Sequence, residues 1–147
     1  MLVKLLPEQI SRQWKLIKYS IEEALPPISY GAEDRYDRIL TKLLSGEMHC
    51  WVQYNKDQSE VKAILTTTFT GDPVLGVRNL LIYSLFGFSF TKKDYSEGLL
   101  TLYRFARSNN CTRIVGYTEN QDLIKLTKRL KGEATYTFVT IPVEKGE

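Results

Sequence analysis

The one histidine, His49, stands beside Cys50, one of two cysteines. A thiol next to an imidazole is the pairing that cysteine nucleophiles use. The pair lies in a stretch where Met48, Cys50, Val52 and Tyr54 alternate with His49, Trp51 and Gln53, the period of a strand. Neighbouring strand residues point to opposite faces, so no dyad forms, and both residues are read as structural. One histidine and two distant cysteines give no zinc-type ligand spacing, and no metal site is expected.

Cations are the other chemistry-bearing group. Lys125, Lys128, Arg129 and Lys131 form a basic strip, and residues 91 to 131 hold nine positive against four negative charges. The strip reads as a solvated helix face with lysines near its C-terminus, and a nucleic-acid partner is not expected. Residues 20 to 60 carry eight acids against four bases. Such a dipolar distribution suits electrostatically registered protein contacts, with another protein or with a second copy.

The elements that must position these groups fit in 147 residues, enough for a single domain spanning 1–147. Hydrophobic residues at 43% and charged residues at 25% exclude disordered and fibrous classes. A net charge of +3 is too mild to demand a polyanionic partner. The most apolar stretch, Leu75 to Phe88, is interrupted by Gly76, Arg78, Asn79, Ser84 and Gly87 and is too short to span a bilayer. Lys4 and Pro7 break the apolar start, so no secretory signal is read and the expected location is cytoplasmic or the interior of a virion.

A short strand at Leu2 to Leu5 is followed by one amphipathic helix carrying Ile10, Trp14, Ile17 and Ile21, which Pro26 and Pro27 end. A second helix begins near Ala32 on Tyr36, Ile39, Leu40, Leu43 and Leu44, with Gly46 at its C-terminus. The strand from Met48 and another over Val61 to Thr70 form a hairpin around Asn55 to Ser59. Leu75 to Phe88 reads as the central strand, covered on both faces. A third helix between Asp94 and Asn110 uses Tyr95, Leu99, Leu102, Tyr103 and Ala106. A strand at Arg113 to Thr118, a helix at Gln121 to Lys131 on Leu123, Leu126 and Leu130, and a strand at Thr135 to Val143 complete the chain. Among the aromatics, Trp14 and Tyr83 are expected in the core, and exposure of Trp51 or Phe90 would mark an interface.

The order β-α-α-β-β-β-α-β-α-β, and the rhythm of Leu99 to Leu130 with Asn120, Leu126 and Leu130 in place, resembles the GNAT acetyltransferase superfamily over nearly the whole chain. The resemblance implies an α/β (α+β) fold with a mixed, mostly antiparallel central sheet and helices on both faces. It also implies an acyl-coenzyme A whose diphosphate meets bare main-chain amides at a helix start. An acetyl-CoA of this kind would lie against Ser84, Phe86 and Phe88 and against Lys92, Lys93, Asp94 and Tyr95. Where the family's loop has Arg or Gln and then two small residues, this chain has Phe90, Lys93 and Tyr95. Where the family has a tyrosine acid, it has Thr127, and no carboxylate stands between Asp72 and Asp94.

Those departures point to a GNAT-fold protein without catalysis and without a cofactor, its cleft filled by Phe86, Phe88 and Phe90, acting through protein contacts. The sequence also resembles small GNAT-like proteins of bacteriophages and prophages, which implies phage structural proteins among its partners. The alternative is a divergent acetyl-CoA-dependent N-acetyltransferase. Its substitute base would be Glu119 or Asp94, and its acid Tyr117 or Tyr136. No serine elbow, phosphate-loop lysine or dinucleotide fingerprint suggests another enzyme class.

Overall fold

The structure is a computed structural model and describes residues 1–24, 34–87, 91–118 and 121–134, with 139, 141 and 143. The chain divides into two compact units, Met1–Gly116 and Tyr117–Glu147. In the first unit β1 (Leu2–Lys4) leads into α1 (Pro7–Arg12) and α2 (Trp14–Ala24), and α3 (Arg35–Ser45) leads into β2 (Met48–Tyr54). Then come β3 (Val61–Asp72), β4 (Val77–Gly87), α4 (Lys92–Ser108) and β5 (Arg113–Gly116). The five strands form one sheet in the order β1-β2-β3-β4-β5. All neighbours are antiparallel except β4 and β5, which run parallel. The expected fold class, a mostly antiparallel mixed sheet with helices on both faces, is the one observed.

Each face of the sheet has its own core, because strand alternation sends odd and even residues to opposite sides. On one face Ile10, Ile17, Ile21, Ile39 and Leu43 of α1 to α3 pack with Met48, Cys50, Val52 and Ile64. On the other, Leu102 and Ala106 of α4 pack with Leu2, Trp51, Leu65 and Leu80. Ile17 and Ile21 are fully buried, each contributing about 1.5–3 kcal/mol of transfer free energy. β2 takes part in both cores, so Trp51 is buried at 4% exposure and marks no interface. Trp14 and Tyr83 pack partly buried against the first core.

Several sequence expectations are corrected. The first helix is two: α1 ends at Gln13, whose N–H bonds the Gln9 carbonyl, and α2 begins at Trp14. β4 starts at Val77, not Leu75, because Asp72 Oδ1 accepts the N–H groups of Val74 and Leu75 and folds them into the turn. Both side chains are exposed. The middle strand is β3, not β4, and β4 is covered only in part, with Asn79, Leu80 and Ser84 its buried residues. In α4 the buried stripe runs through Gly98, Leu102 and Ala106 with Phe105 beside it, leaving Tyr103 exposed. The expected final strand, Thr135 to Val143, lies largely outside the described residues, and Val139, Ile141 and Val143 within it are exposed.

In the second unit α5 (Gln121–Arg129) has no buried residue, and Leu130 lies beyond its end, exposed. Lys125, Lys128, Arg129 and Lys131 are exposed. No helix among the described residues is long and apolar enough to cross a membrane.

Both cysteines are free, Cys50 buried and Cys111 half-buried. They sit in cores on opposite faces of the sheet. Burial pushes the Cys50 thiol up to about 12 and raises that of Cys111 as well. We expect iodoacetamide to label native protein at Cys111 alone, with Cys50 modified only on unfolding, as read by peptide mass spectrometry. Equal labelling of both thiols in native protein would contradict this packing.

Candidate functional site

The site that the sequence resemblance implies lies where β4 passes into α4. β4 carries one supernumerary residue: Thr66 faces Ser84 and Thr67 faces Ile82, so Tyr83 forms a bulge. A bulge shifts the alternation by one, and Tyr83 and Ser84 both turn toward the α1–α3 side. There Ser84 is buried and its hydroxyl lies 2.6 Å from that of Thr66. The Tyr83 hydroxyl accepts hydrogen bonds from Arg35 Nη2 at 2.9 Å and Nε at 3.2 Å. Phe86 packs edge-on against Tyr19 of α2, ring centroids 6.0 Å apart. β5 pairs with β4 over Asn79–Ile82, and β4 runs on past that pairing to Gly87.

Two main-chain donors at the start of α4 are taken by its own side chains. The Thr91 N–H and hydroxyl both donate to Asp94 Oδ2, each at 2.9 Å, and the Asp94 N–H donates to Thr91 Oγ1 at 3.3 Å. This is a reciprocal capping box, in which the helix supplies its own anion. The hydrogen bond from the Thr91 main chain holds the Asp94 carboxyl below its ordinary range, against a smaller desolvation effect. Lys92 and Lys93 stand exposed on the same turn, and Tyr95 is half-buried.

The structure thus gathers Ser84 and Phe86 at the end of β4 and Lys92, Lys93, Asp94 and Tyr95 at the start of α4. Phe88 and Phe90 lie outside the described residues, as do Glu119, Asn120 and Tyr136. In the second unit Tyr117 is 70% exposed. The Thr127 hydroxyl donates its proton to the Leu123 carbonyl at 2.8 Å. Ser/Thr back-bonding of this kind occupies the proton that an acid would need.

Sequence reasoning passed over three features. Thr91-x-x-Asp94 has the spacing of a capping box and was legible as one. The Arg35–Tyr83 pair joins α3 to a bulge that alternation cannot reveal. Gln53 is fully buried with neither amide atom hydrogen-bonded, and its Oε1 would lie 3.3 Å from a Cβ placed on Gly98.

No protein-family model matches the sequence, and no curated protein matches it. Solved structures do. A predicted acetyltransferase from Clostridium acetobutylicum, solved with acetyl-CoA, is 17% identical with a TM-score of 0.69 over 97% of this chain and 95% of that one. The ribosomal-protein-alanine N-acetyltransferase from Brucella melitensis is 12% identical with a TM-score of 0.67 over 97% and 99%. Glucosamine-6-phosphate N-acetyltransferase from Arabidopsis thaliana is 12% identical with a TM-score of 0.64 over 96% and 97%. Identities this low carry the fold alone. The chain has the GNAT acetyltransferase fold.

Proposed function

We propose that this protein keeps the acetyltransferase fold without the chemistry and works by contacting another protein. The observation that carries this reading is the Thr91–Asp94 box. A diphosphate at the start of α4 would need main-chain N–H groups and a positive helix end. At that place Thr91 N–H is already given to a carboxylate and Asp94 N–H to a hydroxyl. Lys92 and Lys93 attract phosphate as point charges but do not replace an open cradle of amides. Thr127, with its proton engaged, adds no acid.

Protein contact is supported by the outer face of α4. Leu100 and Tyr103 are about half exposed and lie with Arg104 and Arg107 around a shallow hollow. Aromatic and arginine side chains about an apolar centre are the composition of binding hot spots. The phage resemblance of the sequence extends the reading to a component of a virion or of its assembly.

The second reading, an acetyl-CoA-dependent N-acetyltransferase, is favoured by the fold likeness to acetyltransferases and by the Lys92 and Lys93 pair. Thermal unfolding with acetyl-CoA separates the two. A ligand at about 100 times its Kd stabilises a fold by about 2.7 kcal/mol. We expect no shift in Tm at millimolar acetyl-CoA. A saturable rise that disappears in a Lys92→Gln, Lys93→Gln double variant would replace the first reading with the second.

A further inference from the structure

A cleft of about 350 Å³ opens at the far end of α4, between the β1–α1 turn, the start of β2 and the last turns of the helix. α4 has 17 residues, which puts this cleft roughly 25 Å from the capping box. Its lining includes Lys4, Leu6, Ile10, His49, Phe69 and Phe105. It shares none of these residues with the site described above.

The Phe69 and Phe105 rings stack at 5.8 Å with 13° between their planes. The Arg78 guanidinium lies 3.9 Å from the Phe69 centroid and the Lys4 ammonium 5.4 Å from that of Phe105. His49 meets both rings obliquely, with centroids 5.0 Å and 4.9 Å away. Among the described residues no carboxylate lines the cleft. Arg78 spends one donor on the Asn109 carbonyl at 2.8 Å, which neutralises the negative end of α4. Lys4 has no ion-pair partner among the described residues.

Trp51 Nε1–H is a donor only and gives its proton to Thr67 Oγ1 at 2.9 Å. The same hydroxyl lies 2.9 Å from His49 Nδ1, so the imidazole is held in place by β3. The cleft thus holds a positioned imidazole, an ammonium without an ion-pair partner among the described residues, and apolar walls.

We propose that this cleft binds a small organic carboxylate, its oxygens at the Lys4 ammonium beside the His49 imidazole and its apolar body lying over Leu6, Ile10 and Phe69. The volume is that of a small-ligand pocket, and an acceptor-only carboxylate matches an ammonium with no competing acid in the described lining.

Phenylacetate is the probe. His49 is the one histidine, so its Cε1–H proton resonance reports on the cleft without assignment. Titration is expected to move that resonance saturably, with a Kd on the order of 1 mM. Phenylacetamide, of the same shape without the charge, should bind about tenfold more weakly, as should phenylacetate to the Lys4→Gln variant. The Lys92→Gln, Lys93→Gln double variant should bind it unchanged. A resonance that stays still, equal binding of the amide, full affinity in Lys4→Gln, or loss of binding in the double variant would each overturn the assignment. The amide comparison needs no variant and stands even if Lys4→Gln folds poorly.

Discussion

Lowering the pH from 6.5 to about 4 is expected to remove about 2–3 kcal/mol of folding stability through His49 alone. Burial drives the His49 pKa down to about 4, helped by the nearby Lys4 charge, whereas the unfolded chain has the ordinary 6.5. Between those values the unfolded state binds a proton and the folded state does not. Stability is complete above pH 6.5, falls with pH across the window, and has lost the whole contribution once pH passes below the folded value. The chain has one histidine. The carboxylates with resolved shifts, Asp57 and Asp94, are held below 3.8 and titrate beneath the window. Urea unfolding at pH 7.5, 6, 5 and 4.5 checks this. His49→Asn, which keeps a polar partner for the Thr67 hydroxyl, should flatten the dependence. An equal slope in the variant would show that another group carries it.

Gln53→Met is expected to raise stability by about 1–3 kcal/mol, roughly 3–8 °C in Tm. Gln53 is buried to 0% exposure under α4, and both amide atoms lack a hydrogen-bond partner. A buried polar group left without partners costs its full desolvation, whereas methionine has nearly the same unbranched shape and no such cost. Gly98 leaves room at this point: a Cβ there would stand 3.3 Å from Oε1 and 3.9 Å from Leu2 Cδ2. Differential scanning calorimetry of the variant decides. A fall in Tm would mean that the amide is satisfied in solution, as by a buried water.

Much of the fold was legible because local rules agreed with tertiary packing. Pro7 opens α1, Gly46 takes the left-handed conformation at φ 86° after α3, and alternation over Met48 to Tyr54 sorted each side chain to the face it occupies. What escaped was set by long-range pairing. The bulge at Tyr83 depends on register with Thr66 and Thr67, which periodicity within β4 does not contain. β3 became the middle strand because β1 returns to pair with β2, a choice invisible in either segment. The site was legible in part. That Gln53 shares a face with His49 and Trp51 was legible, but not its burial or its lack of partners. The cleft around Lys4 and His49 joins β1, α1, α3, β2, β3 and α4, and neither residue's neighbours in sequence announce it.

Every residue of β2 from Met48 to Gln53 is buried, three facing each layer of helices. This strand has no solvent side on which substitutions could accumulate harmlessly. Evolutionary drift in either half of the molecule is answerable to the same six positions, so lineages of this protein should diverge around β2 far faster than within it.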